Sequence, residues 1–324
     1  MIIESTFKPA WWLANAHAQT VYATLTRRTR APIDAIERVE LPDGDFLDLA
    51  WAVNGLSASA PLVILLHGLG GGVHSTYVAG LLRAFNQHGW RGVLLQFRSA
   101  SAVLNRLPRA YHSGDTGDFD TVMRLLCERE PNTKKAAVGI SIGGNVLLKW
   151  LGEQTHRAPL HSAVAVSVPF QLKSVADRMN QGFSRVYQAY LLRKLRGVFQ
   201  QKIAQHPDSG LPSAEKLQSM RCFWTFDDQV TAPLHGFAHV HDYYRKASSL
   251  PYLQRIATPT LMIHALDDPF MSPVIIPTAS ELSAHTVLEI SRKGGHVGFI
   301  TGHIPGCPNY WLDERIPNFL HQYL

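Results

Sequence analysis

Six short apolar runs recur along the chain: PLVILLHG (61–68), RGVLLQFR (91–98), KKAAVGIS (134–141), HSAVAVSVPF (161–170), TPTLMIHALDD (258–268) and TVLEIS (286–291). They are mostly continuous rather than alternating, the form expected of strands buried on both faces. Between most of them lie helical patterns, such as YVAGLLRAFNQHG with its terminating Gly89 and TGDFDTVMRLLCERE stopped by Pro131. Strand then helix, repeated, predicts an α/β fold with a mostly parallel central sheet flanked by helices. Upstream, IERVELPDGDFLDLAWAV (36–53) is two alternating runs joined through Pro-Asp-Gly-Asp. That pattern predicts an antiparallel hairpin.

One gap breaks the rhythm. Roughly 85 residues separate Phe170 from the strand near Thr258, too many for an ordinary crossover. Within them Phe183, Val186, Tyr187, Tyr190, Leu191 and Leu195 recur at three- and four-residue spacing, which predicts an amphipathic helix. We therefore expect one domain over 1–324 carrying a helical lid inserted at 169–257, above the C-terminal ends of the strands. The length of 324 residues and the 46% hydrophobic content suit such a core.

The stretch VGISIGGN places Ser141 in Gly139-Ile140-Ser141-Ile142-Gly143, after a strand-like run and before a helix-like one. A serine hydroxyl is a poor nucleophile unless a base takes its proton and a sharp turn presents it. Strand and helix then approach so closely that the positions two before and two after the serine must be small. The rival reading is an ordinary glycine-rich turn. Partners are expected in the order Ser, Asp/Glu, His. They fall at the ends of the last two predicted strands, in Leu266-Asp267-Asp268-Pro269 and Lys293-Gly294-Gly295-His296. His296 is the expected general base and Asp268, rather than Asp267, the acid that orients it; Asp267 is expected to be a solvated or capping neighbour. For the oxyanion hole we expect the backbone N–H of Ile142, at the start of the following helix, and that of Leu69, within His67-Gly68-Leu69-Gly70-Gly71-Gly72. A phosphate cradle is the alternative for such a loop, but neither G-x-x-x-x-G-K-[ST] nor G-x-G-x-x-G occurs.

Taken together, NAHAQT, HGLGGG, YHSGDT, VGISIGGN, GFSRVYQAYLL, HGFAHVHDYYRKAS, PTLMIHALDDPFMSP and GGHVGF resemble α/β-hydrolase-fold proteins of the AB hydrolase 4 family, and within it the bacterial YheT-type esterases. The resemblance spans nearly the whole chain. It implies a Ser141–Asp268–His296 triad and hydrolysis of short- or medium-chain acyl esters or acylglycerols, with no metal or organic cofactor. Some relatives transfer acyl groups to alcohols or act on phospholipids. Acyl transfer with the same residues is therefore one rival, and a catalytically silent binding module another. One departure touches substrate preference: after LLQFR stands Ser99-Ala100-Ser101, where relatives generally have Arg-Gly and a further small residue.

Charge and cysteines change little. The excess of 31 Lys and Arg over 25 Asp and Glu gives +6, too small for a nucleic-acid partner without a concentrated basic motif. Cys127, Cys222 and Cys307 lie far apart and read as buried thiols. The N-terminal MIIESTFKPAWWL, with Glu4 and Lys8, does not read as a signal peptide, so a cytoplasmic protein is expected. His235, His239 and His241 suggest metal ligation, but structural or surface roles are the simpler reading. Trp11 and Trp12 are expected to pack the N-terminal arm on the domain. Between Gln171 and Ala204 the basic residues outnumber the single acid, Asp177. A solvated outer face is the simpler reading of that helix; peripheral contact with anionic membrane is the other.

Overall fold

The computed structural model describes residues 1–53 and 55–324. Nine strands form one sheet: β1 (Ile2–Glu4), β2 (Ala35–Glu40), β3 (Phe46–Ala52), β4 (Leu62–Leu66), β5 (Arg91–Gln96), β6 (Lys135–Ile140), β7 (Ser162–Val166), β8 (Thr260–Ala265) and β9 (Thr286–Ser291). Their spatial order is β1-β9-β8-β7-β6-β4-β5-β3-β2. All neighbours are parallel except β5–β3 and β3–β2, so the hairpin expected at 36–53 forms the antiparallel edge. Each of the six apolar runs contains a strand. One strand outside the sequence reading is β1, which pairs with β9 through Ile2 and Leu288; a three-residue run carries no periodicity to reveal it.

Successive residues of a strand point to opposite faces, and here both faces are covered. Leu62, Ile64 and Leu66 pack with Phe119, Met123 and Trp150 from α3 (Thr116–Arg129) and α4 (Ile142–Gln154). Val63 and Leu65 pack instead with Leu81 and Phe85 of α2 (Thr76–Gln87) and Ile316 of the helix Trp311–Leu320. The chain leaves β4 toward β5, then returns past β4 to β6. The C-terminal ends of β4 and β6 thus flank the point where strand order reverses, where open α/β sheets place their ligands.

Between β7 and β8 the chain is helical, from α5 (Leu172–Met179) and α6 (Ser184–Gln205) to the helix Val240–Ala247. The expected amphipathic helix is α6, whose stripe is only partly packed: Leu195 meets the buried cluster around Leu192 and Phe199, and Tyr187 is buried. Phe183, Val186 and Tyr190 are exposed, and Val186, Tyr187, Tyr190 and Leu191 line a cavity. Nor do its basic residues share one outer face. Lys202 is buried against the carbonyls of Asn105 and Leu107, Arg196 caps those of Gln218 and Met220, and Lys194 reaches Gly70. The cysteines also depart from expectation: Cys307 is exposed and the other two only partly covered.

A buried ion cluster ties the hairpin turn to the rest. Arg98 donates to both carboxylate oxygens of Asp118 at 2.7 Å and to Asp45 at 2.9 Å. Burial opposes the Asp45 charge, but hydrogen bonds from Asn105, from the Phe46 and Arg106 amides and from Arg98 hold its pKa below the usual range. Replacing Arg98 by Leu strands buried carboxylates, so the unfolding free energy should fall by about 3–5 kcal/mol. Urea titration reads this directly, and an unchanged midpoint would show that Asp45 and Asp118 do not depend on Arg98.

Candidate active site

β6 ends at Ile140 and α4 begins at Ile142, so Ser141 alone makes the turn. Its φ of 54° and ψ of −119° are costly for a residue with a side chain, by about 1–3 kcal/mol. The neighbours enforce that conformation. A Cβ on Gly139 would lie 2.5 Å from the Gly143 carbonyl oxygen, and one on Gly143 would lie 2.5 Å from that of Leu66. The Ser141 N–H donates to the Val166 carbonyl at 2.8 Å, and its own carbonyl accepts the Asn145 N–H at 3.1 Å. Fixed at both ends, the residue projects its hydroxyl into the cavity.

His296 Nε2 lies 3.1 Å from Ser141 Oγ, and His296 Nδ1 lies 2.8 Å from Asp268 Oδ2. A carboxylate only accepts, so Nδ1 carries the proton and Nε2 presents its lone pair to the serine hydroxyl. Asp268 is buried and its second oxygen accepts the Phe270 N–H at 2.8 Å, which sets the carboxylate plane. The Phe270 ring stacks on His296 at 4.0 Å and 9°. Asp267 is not solvated. Its Oδ1 accepts the Gly295 N–H at 2.9 Å, and burial raises its pKa. It therefore braces the histidine loop one residue from the imidazole.

Sequence reasoning missed the part played by the N-terminal arm. Helix α1 (Ala16–Thr26) is capped by Asn15 and lies against that same loop. Thr20 Oγ1 accepts the His296 N–H at 2.9 Å, and the Gln19 side chain accepts from Ile300 N–H while donating to the Leu13 and Ile300 carbonyls. A Cβ at Gly295 or Gly298 would meet the α1 backbone at 2.5 Å. NAHAQT and GGHVGF are thus two halves of one contact, a signal visible in the sequence only as two glycine positions. Trp12 packs on Tyr22 as expected, whereas Trp11 is exposed and donates to the His303 carbonyl.

Leu69 and Ile142 line the same cavity as Ser141 and His296. Among the described residues neither backbone N–H has a protein acceptor, and that of Ile142 opens α4, where helix amides are unpaired and the dipole is positive. The cavity measures about 1110 Å³ and runs between the strand ends, α1, α5 and α6. Ala100 and Ser101, from the segment that departs from the family pattern, also border it. Ser99 beside them takes φ +65°, a conformation glycine favours, and bonds Asn105 Oδ1 at 2.6 Å.

His235 meets neither His239 nor His241. His239 caps Val240–Ala247 through Asp242 N–H, and His241 packs on Trp224. Instead His235 packs edge-on to His112 at 4.4 Å, and their ring nitrogens lie within 4.8 Å of an Asp115 oxygen. Arg109 already holds Asp115 at 2.8 Å, and the Gly114 N–H occupies the Nδ1 lone pair of His112, which puts the imidazole proton on Nε2. This chemistry suits a hydrogen-bonding wall better than a cation.

Asp227, on the cavity wall, accepts from Thr231 Oγ1 at 2.7 Å and Tyr244 OH at 2.8 Å. Burial nevertheless pushes its pKa up to about 6, from an ordinary 3.8. Between these values the unfolded chain is ionised there and the folded chain is not. Stability contributed by this group is therefore full below pH 4 and lost as pH rises through 6, by roughly 3 kcal/mol. Asp227→Asn should remove that slope from urea titrations at pH 4–7; an unaltered slope would place the carboxylate in a more polar setting.

A family model for the α/β hydrolase fold matches residues 61–303. "Putative esterase YheT" of Escherichia coli is 43% identical, over 98% of this chain and 94% of its own length. A Saccharomyces cerevisiae monoacylglycerol lipase is 29% identical, over 80% of this chain and 59% of its own. Among solved structures, the Pyrococcus furiosus esterase Pf2001 aligns with a TM-score of 0.58 at 18% identity, covering 89% of this chain and 91% of that one, a likeness of fold. With the strand order, the serine turn and these matches in agreement, the chain belongs to the α/β-hydrolase-fold family.

Proposed function

We propose that the chain is a serine carboxylesterase acting on short- to medium-chain acyl esters or acylglycerols. Ser141 is the nucleophile, His296 the general base and acid, Asp268 the residue that orients His296, and the Leu69 and Ile142 amides the oxyanion hole. The observation that carries this reading is the hydrogen-bonded line from Asp268 Oδ2 through His296 to Ser141 Oγ, open on the cavity.

In this mechanism Ser141 Oγ bonds to the ester carbonyl carbon while its proton passes to His296 Nε2, a transfer worth about 10²–10⁴-fold. The carbonyl oxygen takes the displaced electron pair and is held by the two amides; losing one such donor costs about 10²–10³ in kcat. Collapse of the tetrahedral adduct breaks the bond to the alkoxide, which leaves as alcohol with the Nε2 proton. Water then attacks the acyl-serine, giving its proton to His296, and the carboxylic acid departs as Ser141 is reprotonated. Helices α5 and α6 act as the lid over the acyl chain. The apolar side chains of α6 on the cavity suit hydrocarbon, and the kinship to a monoacylglycerol lipase supports acylglycerols within the class.

Hydrolysis of p-nitrophenyl esters of increasing chain length tests the reading. Ser141→Ala should abolish turnover. Asp268→Asn loses the acceptor that fixes the imidazole tautomer and should lower kcat by about 10⁴. Asp267→Asn retains an acceptor for the Gly295 N–H and should keep kcat within the same order. The reverse ranking of the two Asn variants would move the orienting role to Asp267.

A further inference from the structure

We infer that Tyr111 and Lys194 are positioning residues of the oxyanion hole, clamping the Gly70 peptides so that the Leu69 N–H stays free for the developing oxyanion. The inference rests on the esterase reading above. Every other amide of the 68–72 turn is occupied. The Gly68 N–H donates to Tyr77 OH at 2.9 Å, Gly70 N–H to Tyr111 OH at 2.8 Å, Gly71 N–H to the Gly68 carbonyl at 3.0 Å and Gly72 N–H to Ser75 Oγ at 3.1 Å. Among the described residues the Leu69 N–H is the one left over. Its selection by subtraction suggests a loop built to present that donor.

Three successive peptide planes are held. His67 Nε2 accepts the Phe97 N–H, so its Nδ1–H donates to the Gly68 carbonyl at 2.8 Å, fixing the plane that contains the Leu69 N–H. Tyr111 fixes the next plane through the Gly70 N–H. Its ring is itself immobilised, stacked on Phe97 at 5.1 Å and 13°. Lys194 Nζ fixes the third by donating to the Gly70 carbonyl at 3.0 Å. Gly70 sits at φ +62°, a left-handed conformation that glycine adopts without strain, and its N–H and carbonyl are both tied, to Tyr111 and Lys194. Because Lys194 belongs to α6, one turn from the cavity-lining Tyr190 and Leu191, the seating of that helix and the geometry of the oxyanion donor are mechanically joined.

Tyr111→Phe keeps the stacked ring and deletes only the acceptor of the Gly70 N–H; Lys194→Met keeps the stem and deletes the donor. Rates of p-nitrophenyl butyrate hydrolysis would be measured on the full chain and normalised to titrated active sites. We expect kcat to fall roughly 10- to 100-fold for Tyr111→Phe and less for Lys194→Met, with KM nearly unchanged. Affinity for a trifluoromethyl ketone, whose serine adduct carries an oxyanion, should fall by the same factor as kcat. Lys194→Arg should restore activity, and Arg193→Met, on the exposed side of α6, should behave as wild type. Wild-type kcat and ketone affinity in both Tyr111→Phe and Lys194→Met would overturn the inference. An inactive wild type would instead refute the esterase reading beneath it.

Discussion

The rest of the site depends on one backbone contact, where β6 and α4 touch at Gly139 and Gly143 with no room for a side chain. It forces the single intervening residue into a strained conformation and lifts its hydroxyl off the sheet edge. Contact with the Leu66 and His67 carbonyls also brings this turn beside the end of β4, from which the glycine loop leaves. The Ser141 hydroxyl and the amides proposed for the oxyanion hole are therefore neighbours because two strands are neighbours. A side chain at either glycine would separate them.

The histidine side of the site is assembled by long-range contacts. Its loop leaves β9 at the far side of the sheet centre and is held by Asp267, by Thr20 on α1 and by Ser167 Oγ at the end of β7. Phe270 supports the ring face and Asp268 the ring edge. Such bracing keeps His296 within hydrogen-bond reach of Ser141, the geometry that the proposed general-base catalysis requires. The same arm reaches the insertion, since His17 on α1 lies 3.0 Å from Tyr187 OH on α6. The cavity wall at Tyr187 and the position of His296 share one scaffold.

Strands, order of elements and the serine turn were legible because burial on both faces and backbone crowding write themselves into local composition. Val63 to Leu66 are four apolar residues in succession and all are buried, and the small residues at 139 and 143 match the close approach found there. Long-range pairing was not legible. Nothing near Thr20 says that its hydroxyl holds His296, and nothing near Ile2 says that it extends the sheet beside Leu288. The α6 periodicity does not distinguish a face packed on a core from one turned to a cavity: of its apolar stripe Tyr187 is buried, while Phe183, Val186 and Tyr190 are exposed. Its basic residues illustrate the same limit, since Lys202 is buried against distant carbonyls and the exposed Lys194 reaches that of Gly70. Asp267, too, differs from Asp268 only through partners that fold from elsewhere.

The central claim is that Ser141 is an activated nucleophile at an accessible cavity. Covalent labelling with a fluorophosphonate probe, followed by mass spectrometry of the tagged peptide, tests it most directly. The account predicts one adduct per chain, on Ser141, and none in Ser141→Ala. Folded wild-type protein that stays unlabelled, or carries the adduct on another serine, would contradict it.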